Sequence, residues 1–377
     1  MLNFSDPSKL RTKKIVFEDV YPAQDSSTLE QLKELSSRRV NVESINSNRS
    51  ITEAIAREMS GGLTTQCEQD IQKLERYLPL LQNLVHHIDS IGDKPLLSQL
   101  TPKLRISWTS PLSSSSFFNL MGPKFFQIDN LRFELGIVLF FYAAMLREWG
   151  SQVLVTDLVQ STTIFRRAAG VYHYLAHEVL PFLKDARTPE GPPEATPSVA
   201  LVMSFICLAE AQIVTTMKAE EKKSADTLLS KLHYGVVQLF DEATGFYTTA
   251  SKECKDISPI LMDYISCSKV VHELRSYKYM AQAVKTEGQI GIAIGLLKQA
   301  LNNVQKNMGG VESWRMVIKE DIDSLTALLK KYEQENEFVW REKVPFDHHL
   351  PSLQGKKITT CISYSPERWE RTLALKI

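Results

Sequence analysis

Residues 277–301 read YKYMAQAVKTEGQIGIAIGLLKQAL, and this stretch decides the fold class. Gly288, Ile290, Ala293, Ile294, Leu297, Ala300 and Leu301 match the second half of a tetratricopeptide repeat, with Tyr277, Met280, Ala281 and Val284 at the preceding packing positions. Small residues at those spacings let two helices approach closely. The proline that closes such a repeat is replaced by Gln305, and no second copy is as clear. The pattern therefore predicts an array of helical hairpins and says little about function. Gly288, Gly291 and Gly295 lack the GK[ST] ending and the preceding strand of a phosphate loop, so they are assigned to helix packing.

Apolar spacing of three and four residues extends this reading outward to almost the whole chain after about residue 26. It predicts helices at roughly 65–88, 130–149, 157–184, 197–218, 224–243, 258–286, 289–307 and 312–340. Ser50-Ile51-Thr52-Glu53 is a capping-box pattern before a short helix that Gly61-Gly62 stops, and this helix should pair with 65–88. Thr196-Pro197 and Ser258-Pro259 each place a capping residue before a first-turn proline. Lys13 to Tyr21 has the β-branched and aromatic content of a strand, and Ile358 to Tyr364 alternates like another. Thr109 to Ser116 reads as a loop, and the Pro-rich linker from Thr188 to Glu194 as extended and exposed.

Composition limits what such an array does. The 377 residues carry 44 Lys+Arg and 44 Asp+Glu, a formal net charge of zero, so no global field favours nucleic acid or a membrane surface. Hydrophobic residues make up 43%, and the mean hydropathy is -0.17, as in a folded soluble protein. Five scattered cysteines, Cys67, Cys207, Cys254, Cys267 and Cys361, fit a reducing compartment. The first residues, MLNFSDPSKLRTKK, lack the apolar core of a signal peptide and the second-position glycine of a myristoyl anchor. The last, TLALKI, lack a prenylation box. The apolar run Leu135 to Leu146 is shorter than the ~20 residues a membrane span needs and reads as a buried helix.

No catalytic constellation emerges, and no cofactor, metal or small-molecule substrate is expected. His173 and His177 share a helix face beside Glu178, but Tyr174 stands where a zincin needs its general base. His86-His87 and His348-His349 are adjacent pairs that diverge toward solvent. Cys267 and Cys361 miss the register of a phosphate-cradling thiolate loop, no GxSxG elbow occurs, and no Asp-Asp pair offers a magnesium site of the isoprenoid-synthase kind.

A series of segments in fixed order carries a family resemblance. It begins with Trp108-Thr109-Ser110-Pro111-Leu112, Phe133 to Phe140 running into Ala143-Ala144, and Phe165-Arg166-Arg167-Ala168-Ala169-Gly170-Val171-Tyr172. Leu208-Ala209-Glu210-Ala211-Gln212 with Lys218-Ala219 comes next, and Glu335-Asn336-Glu337-Phe338-Val339-Trp340-Arg341-Glu342-Lys343-Val344-Pro345 closes it. Together they resemble the BRO-type endosomal-targeting domain across essentially the whole chain, nearest in pattern to the BROX-like homologues of plants. The resemblance implies an all-α-dominated, elongated and curved helical array with tetratricopeptide-like hairpins and a small N-terminal sheet. Residues 1–350 would form one domain, with a strand region at 1–25 and the array at 26–345, and 351–377 a tail.

It also implies a function: a non-catalytic adaptor that binds the C-terminal amphipathic helix of an ESCRT-III subunit and supports multivesicular-body sorting. Family members use an apolar patch, a helix-in-groove mode. Aligned on AQ-x-x-x-x-x-KA, the patch falls at Thr215, Leu228 and Leu232; Thr215 departs from the family, where larger relatives have phenylalanine. Ile213, Val214, Thr216 and Met217 flank the site and are candidates to replace that ring. Leucines at i, i+4 equally suit a packed core. Lys9, Arg11, Lys13 and Lys14 form the densest basic cluster, suited to weak peripheral contact with an anionic membrane. Localisation follows as cytoplasmic and peripherally endosomal. The competing classes are a tetratricopeptide-like scaffold for some other peptide, and an enzyme with a cryptic helical-bundle site.

Overall fold

The computed structural model describes residues 6–46, 66–92, 100–114, 124–186, 190–307, 315–346, 349–367 and 371–376. Among these, nine α-helices follow one another: α1 Ser26–Glu43, α2 Gln66–Ile91, α3 Leu131–Val153, α4 Leu158–Tyr174, α5 Pro197–Glu221, α6 Asp226–Glu253, α7 Pro259–Thr286, α8 Ile290–Asn307 and α9 Arg315–Glu335. The capping-box helix expected after Ser50 lies outside the described residues. Three helix starts are fixed by side chains that accept from orphan amides: Asp25 from Thr28 N (2.7 Å), Asn130 from Arg132 N (2.8 Å) and Asp157 from Val159 N (2.8 Å). Thr196 and Ser258 occupy the cap positions before Pro197 and Pro259, but neither side chain makes the capping bond.

Each helix packs mainly on its neighbours in sequence, because the connections at 222–225, 254–258 and 287–289 are short enough to fold consecutive helices back on each other. Gly288, at φ 85°, supplies the left-handed residue that ends α7, where Gln289 N reaches Val284 O at 3.0 Å. The tetratricopeptide residues Tyr277, Ala281, Val284, Ile290, Ala293, Ile294, Leu297 and Ala300 all lie in one core shared by α7, α8 and α9. A larger core runs from Leu10 to Ile265 and takes in Leu373 and Leu375. Helix α5 is apolar enough to cross a membrane by length and composition, yet 78% of its apolar window is buried, as in a core helix.

Two buried carboxylates tie distant helices together. Glu134 of α3 accepts from Arg39 Nε of α1 (2.5 Å), Tyr77 OH of α2 (3.2 Å) and Trp108 Nε1 (2.6 Å). Glu210 of α5 accepts from Arg147 Nε of α3 (2.8 Å) and Tyr264 OH of α7 (2.6 Å). A buried charge of this kind is tolerable only because its lone pairs are met.

Several expectations are corrected. The sheet is built from β1 Ser107–Thr109 and β2 Phe125–Gln127, antiparallel, with Trp108 opposite Phe126. The stretch 13–21 forms no strand; the N-terminal chain meets this sheet through an isolated bridge from Thr12 to Trp108 and through bonds from Arg11 N to Thr109 Oγ1 (2.8 Å) and Thr12 Oγ1 to Ser107 O (2.9 Å), and residues 17–20 turn instead. The helix expected at 157–184 loosens into a π turn at Leu175–Val179 and a 3-10 turn at Leu180–Ala186. The described part of the linker is exposed only at Glu190: Pro192 to Ala195 are buried, and Glu194 accepts from Ser110 Oγ (2.5 Å) and Leu112 N (3.0 Å).

The largest difference is the C-terminal segment, which forms no strand at 358–364. A π turn at Asn336–Trp340 and a left-handed Arg341 (φ 55°) reverse the chain after α9. Asn336 clamps the reversal by donating to Glu342 O (2.9 Å) and accepting from Glu342 N (2.9 Å), while the Glu342 carboxylate accepts from Gly291 N at the start of α8 (2.7 Å). The signature motif is thus a turn that aims the following residues back along the array.

From there the described residues 343–346, 349–367 and 371–376 form a strap that crosses α8, α6, α5, α4, α2 and α1 in turn. Lys356 N bonds Lys231 O (2.8 Å) on α6, Ile362 N bonds Arg166 O (3.0 Å) on α4, and Asn83 Nδ2 of α2 bonds Arg371 O (3.0 Å). Gln24 N, beside the start of α1, bonds Ala374 O (2.8 Å). Glycines mark its track. A Cβ on Gly291 would lie 2.6 Å from Lys343 O and one on Gly295 2.7 Å from Leu350, so these residues clear the strap and not a neighbouring helix. Gly170 and Gly235 clear Ile362 O and Lys356 O in the same way.

Candidate functional site

Thr215, Leu228 and Leu232 converge on the groove between α5 and α6, but at different depths. Leu228, in the first turn of α6, is 36% exposed, whereas Leu232 is only 3% exposed and belongs to the helix interface. Helical spacing explains this: 228 and 231 are exposed on one stripe of α6, which the strap covers further along at 235 and 238, and 232 turns toward α5. Thr215 is half-buried and its Oγ1 is bonded to Ala211 O at 2.9 Å, which leaves its methyl group for contact. Of the flanking candidates, Ile213, Val214 and Thr216 are buried, and only Met217 is half-buried.

The strap forms the lower end of this groove. Gln212, one turn before Thr215, donates to Leu232 O (2.9 Å) and Lys356 O (3.0 Å) and accepts from Ile358 N (3.0 Å). Thr359 Oγ1 donates to Leu208 O (3.0 Å). Ile358, read from sequence as part of a strand, is 44% exposed and stands beside the site. Its only sequence signal was an apolar residue in a polar segment. Lys222 and Lys223 in the α5–α6 connection, Lys231 on α6 and Lys356 on the strap are exposed, as is Glu221.

Beneath Leu228 and Leu232 the groove is held by a bonded network. His233 Nε2 meets Glu220 Oε1 (3.1 Å), His233 Nδ1 meets His272 Nδ1 (3.0 Å), and Tyr279 OH donates to Glu220 Oε1 (2.8 Å). Burial pushes the His233 imidazole down against the opposing pull of Glu220, and burial followed by His233 pushes His272 well down. Both rings are therefore neutral at pH 7, so one proton serves the Nδ1 contact and His233 donates to Glu220. Burial works to raise the Glu220 carboxyl, but the bonds from His233 and Tyr279 outweigh it and hold it low.

The other candidates fall elsewhere. Lys9, Arg11, Lys13 and Lys14 are all exposed, alternating with buried Leu10 and Ile15, and Lys13 Nζ lies 4.9 Å from the Phe125 ring centre. His173 and His177 stack with ring centres 4.2 Å apart, and among the described residues no group of three His, Cys, Asp or Glu is placed to hold a metal ion. A cavity of about 300 Å3 between α2, α3 and the strap is lined by His86, Asp89, Arg132, Glu178 and Glu367. Its Asp89 is spent on Arg132, at 3.1 Å from Nε and 2.7 Å from Nη2.

Comparison with known proteins gives the same picture. Programmed cell death 6-interacting protein of Homo sapiens is 22% identical over 285 residues, 72% of this chain and 31% of that protein. Apoptosis-linked gene 2-interacting protein X 1 of Caenorhabditis elegans is 24% identical over 344 residues, 88% of this chain and 37% of that protein. BRO1 domain-containing protein BROX of Mus musculus is 24% identical over 295 residues, covering 74% and 69%. The chain thus spans about a third of the length of the first two. Among solved structures, a complex of ALIX BRO1 with CHMP4C superposes with a TM-score of 0.67 over 96% of both chains at 17% identity, a likeness of fold. The BRO1-like domain model matches residues 23–374, and the chain belongs to that family.

Proposed function

We propose that this chain is a non-catalytic endosomal adaptor that binds the C-terminal amphipathic helix of an ESCRT-III subunit in the α5–α6 groove and supports multivesicular-body sorting. One observation carries the reading: Leu228, in the first turn of α6, is an exposed aliphatic in a strip of sequence that also exposes Lys222, Lys223 and Lys231, while Leu232 one turn on is buried. An amphipathic helix with aliphatic anchors and acidic flanks complements such a strip, the aliphatics supplying affinity and the lysines supplying steering. In this reading Leu228 is the anchor contact, Thr215 borders it and Leu232 supports it from below. The array and its strap act as one domain, and the exposed N-terminal cations add weak contact with an anionic leaflet.

Titrating ESCRT-III tail peptides onto the whole chain tests this. Wild type should bind saturably, and Leu228→Asp should weaken binding about tenfold or more with an unchanged unfolding curve. Saturable binding that Leu228→Asp leaves intact removes the site. No binding by any ESCRT-III tail favours the tetratricopeptide-like scaffold, whose packing residues the α7–α8 hairpin carries.

A further inference from the structure

We propose that Ser365 is a phosphorylation site for a proline-directed protein kinase, and that its modification loosens the adjoining stretch of the strap, 358–365, from the array. The proposal goes beyond the adaptor reading and does not depend on it. The first observation is presentation. Ser365 is exposed, lies outside helix and strand, and is followed by Pro366, whose ring disfavours helical backbone at the preceding residue and favours an extended one. A kinase needs its acceptor serine extended and accessible, and Ser365 meets that requirement without unfolding.

The second observation is what surrounds the hydroxyl. Ser365 lines a cavity of about 260 Å3 together with Glu75 and Glu367. The Glu75 carboxylate accepts from Tyr142 OH (2.9 Å) and lies 3.4 Å from Arg167 Nη2. Glu367 also lines the neighbouring cavity, where Arg132 is taken by Asp89. In the transfer, Ser365 Oγ forms a bond to the γ-phosphorus of adenosine triphosphate held by the kinase. The bond from that phosphorus to the β-phosphate bridging oxygen breaks, adenosine diphosphate leaves, and the hydroxyl proton passes to the kinase's base. The product carries about −1.5 to −2 charges between two carboxylates, which repel it, and any capture of Arg167 takes that cation from Glu75.

The third observation is how the strap is held there. One side-chain anchor there is Tyr364, half-buried with its ring 5.1 Å from Tyr174 and 6.3 Å from Tyr142, and Cys361 packs against the same core. Upstream, the attachment is also by hydrogen bonds, from Ile362 N to Arg166 O (3.0 Å) and from Arg166 Nε to Thr360 O (2.7 Å). Ser365 thus adjoins one anchor of a stretch, 358–365, held largely by polar contacts between the core-packed Leu353 and Leu373, the kind that opens locally at low cost.

The test uses the whole chain. Incubation with a purified proline-directed kinase and magnesium adenosine triphosphate, followed by peptide mass mapping, should place phosphate on Ser365. Ser365→Ala should abolish that label and leave the unfolding curve unchanged. Chain made with phosphoserine encoded at 365 should exchange the Ile358 and Ile362 amides about tenfold faster or more, with α5 and α6 unaffected. A kinase that leaves Ser365 unmodified overturns the site. A phosphoserine chain that keeps the unmodified protection overturns the loosening.

Discussion

Gly235→Ala sets two opposing effects against each other at the candidate site, and the structure says which wins. In an exposed helix interior, alanine is favoured over glycine by about 1 kcal/mol. Gly235 lies within α6, but a Cβ there would sit well inside contact distance of Gln212 Nε2 and Lys356 O. Helix α6 is fixed on both sides, so the strap must give way. Three bonds are then lost: Lys356 N to Lys231 O (2.8 Å), Gln212 Nε2 to Lys356 O (3.0 Å) and Ile358 N to Gln212 Oε1 (3.0 Å). At about 1 kcal/mol net each, they outweigh the propensity gain and leave the variant less stable by about 2 kcal/mol. Gly245 is the control on the same helix, since a Cβ there meets nothing within 4 Å; Gly245→Ala should stabilise by about 1 kcal/mol. Urea unfolding followed by circular dichroism gives the two signs. Amide exchange at Lys356 and Ile358 should rise about thirtyfold in Gly235→Ala alone, the equivalent of 2 kcal/mol. If both variants are stabilised alike and the strap amides keep their protection, the close approach of strap to α6 is wrong.

Three further expectations follow from buried or clustered charge. Burial pushes the Glu194 carboxyl up to about 7, against the bonds from Ser110 and Leu112. A carboxyl raised on folding contributes stability that is present below its unfolded value and lost as pH rises through the folded one. Wild type should therefore lose up to about 3 kcal/mol between pH 4.5 and 8 relative to Glu194→Gln, read from thermal midpoints across that range; parallel curves would refute it. Arg147→Met leaves Glu210 charged and buried with Tyr264 as its main remaining partner, and should cost about 3–5 kcal/mol in urea unfolding. Arg147→Met with Glu210→Leu should recover most of this, whereas a double variant no better than the single would show that packing dominates. Replacing Lys9, Arg11, Lys13 and Lys14 by alanine should remove about 1 kcal/mol per cation from partitioning onto phosphatidylserine vesicles at low salt; equal partitioning would exclude this cluster.

The readings that succeeded rest on residues close in sequence. Spacing of three and four placed helices at roughly 65–88, 130–149 and 258–286, where the structure has 66–91, 131–153 and 259–286. The failures share a different character. The Pro-rich linker looked exposed because proline and glutamate usually are, and nothing local announced that Glu194 meets Ser110, 84 residues earlier. Residues 13–21 have strand propensity, but the N-terminal chain pairs with the edge of β1 away from β2 at Thr12, just before that stretch, and residues 17–20 turn. At the candidate site, the motif located α5 and α6, and could not tell Leu228 from Leu232.

By itself the sequence determined the helical array, its order, and the family through motifs at fixed positions, because helix periodicity, caps and turn residues act over a few residues of chain. Tertiary structure alone decided that Leu232 is core while Leu228 is surface, that Gly291 and Gly295 make room for a strap and not a helix, and that Ile358 stands at the groove. Those outcomes depend on contacts such as Ile358 to Gln212, 146 residues apart, whose formation is set by how the whole array stacks and by where the turn at Asn336 sends the chain.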